Sequence, residues 1–294
     1  GLMRRTPAFC AGCPHATSTK LPDGSFASAC IGCHFMALDE GPQTRTFTHM
    51  GGEGAPWVGL ANFTDMKHMF ANMGDGTYMH SGVMAIRQAV AAKARMTYKL
   101  LYNDAVAMTG GQPMDGPLNP AMITQQLRAE GIARIAVVAD DPTKYPLSTG
   151  FAEGTTVHHR DELDAVQREL RALDGVTAIV YDQMCATEKR RKRKRGQLDE
   201  PPWRVVINPA VCEGCGDCSA KSNCLSVVPI ETEFGRKRAI DQSSCNKDFS
   251  CVKGFCPSFV TVEGGKLRKQ KGSSAKERLA NLPMPQLPAL DKPW

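Results

Sequence analysis

The sequence predicts an α/β protein: a doubly wound parallel-sheet domain followed by a small, cysteine-rich second domain. Three observations carry this reading. Short apolar runs of strand length alternate with helical stretches through the first 188 residues. The texture then changes across Lys189-Arg190-Arg191-Lys192-Arg193-Lys194-Arg195 and Pro201-Pro202. Finally, the 12 cysteines fall into a group of five before that run and a group of seven after it.

The elements follow in order. An apolar stretch over 68–73 ends in Gly74-Asp75-Gly76, and 78–95, with Met84, Ile86, Val90 and many alanines, reads as a helix. Residues 97–102 are strand-like and end at Asn103; 120–130 is a helix closed by Gly131. The continuous β-branched run 133–139 has the pattern of a strand buried on both faces. A helix with an acidic first turn over 161–173 and a second buried strand over 176–181 complete the rhythm. This βαβαβ order places ligands at the carboxyl ends of the strands. Residues 203–265 cannot bury much apolar surface and need a metal staple; 203–207 and 258–262 are expected to pair as its strands. The expected organisation is 1–188, a basic linker over 189–202, the small domain over 203–265, and a linker or tail over 266–294. The chain opens on Gly1 and stops at Trp294, which suggests a fragment of a longer polypeptide.

With 294 residues, 42% apolar and 22% charged, the chain is long enough for about two domains and is neither disordered nor fibrous. It has no apolar run of membrane-span length and no signal-peptide succession, so no membrane role is expected and a cytoplasmic location is. The net charge of +6 is local: without the run at 189–195, 29 basic residues face 30 acidic ones. A nucleic-acid binder needs a distributed basic face, which this chain lacks. The run reads as a solvated linker, with contact to an acidic partner surface as the alternative. In a reducing compartment, clustered thiolates bind metal in preference to forming disulfides.

Asp75 and Asn103 lie 28 residues apart, one helix plus one strand, and so sit side by side at the tips of adjacent parallel strands. A carboxylate and an amide oxygen there suit Mg²⁺, which takes hard oxygen ligands and completes its shell with phosphate oxygens. The helix start at Gly76-Thr77 offers free N–H groups to the same diphosphate, and Gly74 and Gly76 allow close approach.

Cys10-Ala11-Gly12-Cys13 is a CxxC turn that can chelate a metal or cluster, with zinc, a redox role or no role as the alternatives, and Gly32-Cys33-His34 is a second cysteine-bearing loop. Cys185, just past the strand at 176–181, falls at the same carboxyl edge as Asp75 and Asn103. His15, His34 and His49 lie near the glycine-rich segment 50–54 and are candidates to touch substrate, each with a structural role as the alternative. Cys212-x2-Cys215-x2-Cys218 matches the bacterial ferredoxin run, in which three thiolates wrap one cluster and the fourth serves another. Cys224 follows after five intervening residues, and Cys245-x2-Asp248-x2-Cys251 precedes Cys256-Pro257. Crossing the fourth ligands gives Cys212, Cys215, Cys218 and Cys256 for one 4Fe–4S cluster. It leaves Cys224, Cys245, Asp248 and Cys251 for a second, which an oxygen ligand makes prone to be 3Fe–4S. A single cluster or zinc are the alternatives.

The GDG…Asn spacing resembles that of the thiamine diphosphate enzymes, and the stretch 102–112, ending Met108-Thr109-Gly110-Gly111-Gln112, is similar to that of the 2-oxoacid:ferredoxin oxidoreductases, above all the indolepyruvate branch. The resemblance spans nearly all of 4–265. It implies Mg²⁺ held by Asp75, Asn103 and the Ala105 carbonyl, with Gly76, Thr77 and Thr109 near the diphosphate. It also implies a proximal 4Fe–4S cluster on Cys10, Cys13, Cys33 and Cys185, with Cys30 as the competing choice to Cys33, and three clusters in all. The implied reaction is oxidative decarboxylation of an aryl 2-oxoacid to its acyl-coenzyme A, with electrons passed to ferredoxin. The family needs a pyrimidine-binding domain that this chain lacks, so a further domain or subunit and an oligomeric assembly are expected. The rival readings are a non-catalytic electron-transfer module and a pyruvate or branched-chain 2-oxoacid enzyme of the same superfamily.

Overall fold

The computed structural model of the protein describes residues 7–114, 116–265 and 282–283. The expected tail from Lys266 lies outside the described residues apart from 282 and 283. The first domain is built on seven strands: β1 Ala27–Ala29, β2 Thr44–Phe47, β3 Met69–Gly74, β4 Met96–Tyr102, β5 Arg134–Ala139, β6 Thr156–His159 and β7 Val176–Asp182. Every pairing is parallel, and the spatial order is β2-β1-β3-β4-β7-β5-β6. The chain leaves β1 toward one edge and β3 toward the other, so the crevice between those strands is a topological switch point, where open α/β sheets bind ligands.

The helices are α1 His15–Ser18, α2 Ala55–Leu60, α3 Asp75–Thr77, α4 Val83–Ala91, α5 Pro120–Ala129, α6 Leu163–Ala172 and α7 Ala186–Lys194. Both faces of the sheet are covered, which is why its central strands read as unbroken apolar runs. Against one face, Ile86 and Ala89 of α4 and Ile123 and Leu127 of α5 pack on Met73, Tyr98, Leu100, Val137 and Val180. Against the other, Leu163, Val166 and Leu170 of α6 meet Leu101, Ala136, Val138 and Ile179. Asn119 caps α5 by accepting from the Met122 amide, and Pro120 occupies the first turn, where no N–H is missed.

The four strands expected from the sequence are present. The additional ones, β1, β2 and β6, are short: Ala27-Ser28-Ala29 has no β-branched residue, and Thr44-Arg45-Thr46-Phe47 lies polar at the sheet edge. The helix expected over 78–95 begins earlier, at Asp75, and passes through a π-turn over Tyr78–Gly82 before α4. Gly82 makes that turn possible, since a Cβ there would lie 2.4 Å from the Met73 sulfur.

The run expected as a solvated linker is largely helical, forming most of α7. Three of its arginines bind backbone carbonyls, while Lys194 and Arg195 stay exposed. The Arg190 guanidinium donates to Ser243 O at 2.8 Å and Arg193 Nη1 to Asn246 O at 2.8 Å, while Arg191 donates to Gly110 O.

The second domain contains β8 Trp203–Ile207, α8 Asp217–Ser222, β9 Val227–Thr232, β10 Gly235–Ile240 and β11 Phe259–Glu263. As expected, β8 and β11 pair, antiparallel; β9 and β10 add a hairpin. Its small core consists of Ile207, Val227, Cys212 and Cys218, with Cys224, Cys251, Ile240 and Phe259 packed on it. Among the described residues, no helix is long and apolar enough to cross a membrane.

Candidate active site at the carboxyl edge of the sheet

β3 and β4 run in parallel with Gly74 opposite Leu101, so the residues after them meet at one edge. Asp75, buried at the start of α3, accepts from the Gly76 amide at 2.8 Å through Oδ1. Its Oδ2 accepts from the amides of Asn103 at 2.8 Å and Asp104 at 3.1 Å. The two expected metal-binding residues therefore converge. Asn103 Oδ1 accepts from the Ala105 amide at 3.2 Å, which turns the chain back over the site; Asp104 takes φ +59° to do so. Burial pushes the Asp75 carboxyl up to about 6, against the three amides that favour its anion.

A cavity of about 500 Å³ opens there. Gly74, Asp75, Gly76, Thr77, Asn103, Ala105 and Thr109 all line it, as do His15 and His34. Gly110, Gly111 and Gln112 instead shape the loop: Val106 bridges Gln112, and Gln112 Nε2 donates to Thr109 O at 2.7 Å. Gly111, at φ +79°, permits contact with α7, because a Cβ would fall 2.1 Å from Glu188 Oε1. His49 does not meet the expectation. It is exposed, off the cavity, with its ring against Gly52. His80, which the sequence reading passed over as a helical residue, does line the cavity, as do Met79 and Met114.

His15 and His34 stack edge-to-face at 5.8 Å. Burial drives the His15 imidazole down to about 4 and that of His34 to about 3, assisted by the charge of buried Lys99. Both are thus neutral at pH 7. His34 Nε2 is buried with no hydrogen-bond partner among the described residues. Gly32 is required beside it, since a Cβ would lie 2.6 Å from the His34 ring.

Cys30 and Cys33 lie in different surroundings. Cys30 is buried and donates its thiol to the Glu53 carboxylate, whose other oxygen accepts from the Gly51 amide at 2.9 Å. Cys33 instead neighbours the remaining thiols: burial and then the charges of Cys185 and Cys10 push it up to about 11. Cys13 is raised by burial and by Cys10, Cys33 and Cys185. Cys185 is tied to the metal-side loop, its amide donating to Asn103 O at 3.2 Å. In the second domain, burial and the charges of Cys224 and Cys245 raise Cys251 to about 12, and Cys212 lies close to Cys218. None of the 12 cysteines is in a disulfide. No three metal-ligating side chains converge on one ion among the described residues. The oxygen donors of Asp75 and Asn103, at the mouth of a cavity beside a helix start, fit a magnesium-held diphosphate.

Asp248 is placed differently from its companions. Its carboxylate is engaged by Arg160, Gln183 and Ser250, toward the first domain. Neither Arg160 nor Gln183 bears a motif, and only the fold reveals them.

This edge and this sheet define a thiamine diphosphate-binding domain. Residues 30–181 match the family "Thiamine pyrophosphate enzyme, C-terminal TPP binding domain", and the chain belongs to that family. Over 264 residues it is 29% identical to "Indolepyruvate oxidoreductase subunit IorA" of Archaeoglobus fulgidus, covering 86% of this chain and 39% of the relative. The protein of the same name from Pyrococcus horikoshii is 25% identical over 292 residues, covering 90% and 42%. The chain thus spans about two fifths of the length of these relatives. Among solved structures it is similar to a 2-oxoglutarate:ferredoxin oxidoreductase from Magnetococcus marinus, at 17% identity and TM-score 0.47, covering 63% of this chain and 66% of that one.

Proposed function

We propose that this chain is the thiamine-binding and electron-transfer part of a 2-oxoacid:ferredoxin oxidoreductase of the indolepyruvate type, forming an acyl-coenzyme A and reducing ferredoxin. One observation carries the proposal: the Asn103 loop, through its hydrogen bond to the Cys185 amide, joins an oxygen-donor site to a four-thiol group at one sheet edge. Bound thiamine diphosphate supplies the electron sink for decarboxylation, and iron–sulfur clusters supply one-electron carriage.

The roles of the protein groups follow. Asp75, Asn103 and the Ala105 carbonyl hold Mg²⁺, and Gly76, Thr77 and Thr109, which line the cavity, border the diphosphate. His34, neutral and with Nε2 unpartnered among the described residues, is placed to hydrogen-bond an uncharged oxygen in the cavity rather than to carry a positive charge. Met50, Met79, Met108 and Met114 give the cavity an adaptable apolar wall, which suits an aryl side chain better than a small one. Cys10, Cys13, Cys33 and Cys185 hold the proximal cluster; the second-domain cysteines hold those that face ferredoxin. The names of the relatives, which call them subunits, support a partner that supplies the pyrimidine-binding domain.

Anaerobic iron, sulfide and thiamine analysis tests the proposal. Thiamine-dependent CO₂ release by the assembled complex should vanish in Asp75→Ala while the iron content stays. Four irons or fewer per chain, or an active Asp75→Ala complex, refutes it. Comparing kcat/KM across 2-oxoacids decides the substrate.

A further inference from the structure

The loop 243–251 is where the two domains meet. Asn246 Nδ2 donates to Ala11 O at 2.8 Å, inside the Cys10–Cys13 turn. A Cβ on Gly12 would lie 3.0 Å from the Asp248 Cβ and 3.2 Å from the Asn246 Cβ, so the two cysteine loops touch at a glycine. Asp248 sits at the centre of this contact. Its Oδ1 accepts from Arg160 and, at 3.0 Å, from Gln183 Nε2; its backbone oxygen accepts from Arg160 Nη2 at 2.8 Å. Ser250 Oγ donates to Oδ2.

Arg160 decides what Asp248 is for. The Arg160 side chain is only 9% exposed, and its charge, which burial opposes, is sustained by the Asp248 carboxylate. A buried guanidinium stripped of its counter-ion is strongly destabilising. Removal of the Asp248 carboxylate would impose that penalty. The backbone points the same way. Lys247 and Phe249, on either side of Asp248, hold φ +56° and +60°, and Phe249 is fixed by stacking on Trp203 at 3.7 Å. Asp248 borders the same small cavity as Cys224, Cys245 and Cys251, but its carboxylate is taken by Arg160, Gln183 and Ser250.

We infer that Asp248 is the residue that docks the second domain onto the first, and that Cys224, Cys245 and Cys251 alone hold their cluster, a 3Fe–4S centre. Three thiolates match three irons one to one. The inference rests on the iron–sulfur reading above for its second half only; the docking half stands on protein contacts.

The test uses the complete chain, reconstituted anaerobically, with Asp248→Asn and Arg160→Met beside it. The expected result is about eleven irons per chain and the paramagnetic signature of a three-iron centre, unchanged in either variant. Both variants should speed amide exchange in 10–13 and 245–251 by about tenfold or more, and should weaken the magnetic coupling between the proximal centre and its neighbour. Arg160→Lys, which keeps the charge, should recover part of the protection. Loss of iron or an altered cluster spectrum in Asp248→Asn but not in Arg160→Met would make Asp248 a ligand and overturn the inference, as would about twelve irons in the parent. Protein that takes up no iron would refute the iron–sulfur reading, and exchange in the two loops would still decide the docking role.

Discussion

Lys99 offers a quantitative check on the electrostatics of the sheet. It lies mid-strand in β4, 0% exposed, with Nζ donating to Gln167 Oε1 at 2.9 Å and Lys20 O at 3.2 Å. Burial lowers its pKa from 10.5 to about 7. Between those two values the unfolded chain binds the extra proton, so stability rises with pH across the window; below about 7 the whole penalty is present and above 10.5 it is gone. At about 1.4 kcal/mol per pH unit, the native state carries a cost of ~4 kcal/mol at pH 7 and ~1 kcal/mol at pH 10. Lys99→Met removes the cost but strands the Gln167 oxygen, a loss of ~1–3 kcal/mol at either pH. The variant is therefore more stable than the parent at pH 7 by ~1–3 kcal/mol and no more stable at pH 10. The difference between the two effects, ~3 kcal/mol, is free of the hydrogen-bond loss. Urea unfolding of the reduced, metal-free protein, followed through the fluorescence of buried Trp57, measures it. An identical stability change at both pH values would show that Lys99 keeps an ordinary ionisation, and the reasoning would fail.

Cys33→Ser should remove about four irons and Cys30→Ser none, by iron analysis of the reconstituted chain; the reverse result would exchange their roles. Magnesium-dependent thiamine diphosphate binding should be lost in Asp75→Ala, and in the parent should weaken about tenfold between pH 7.5 and 5 as the carboxyl, with a pKa of about 6, takes up its proton; calorimetry at the two pH values checks both. Gly82→Ala drives a methyl into the Met73 sulfur and should cost ~1–3 kcal/mol in thermal unfolding. His34→Asn should reduce kcat in the assembled complex while leaving the pH profile near neutrality unchanged, because the parent imidazole is already neutral there.

The sequence by itself determined the parallel sheet and the edge at which Asp75 and Asn103 meet. β-branched runs such as Arg134–Ala139 can be buried only between two helical layers, and a helix-plus-strand spacing forces Asp75 and Asn103 onto neighbouring tips. Local periodicity and chain reach decide such things. Only the tertiary structure gave Cys30 and Cys33 different surroundings, although both follow β1: the Glu53 carboxylate for one, three other thiols for the other. It likewise moved His49 away from the cavity, brought His80 in, turned a basic run into an anchoring helix, and faced Asp248 toward Arg160, 88 residues away in the chain. The physical reason is the same in each case. A charge or thiol takes its chemistry from the partners and dielectric that folding places around it, and those neighbours come from remote segments that no local spacing reveals.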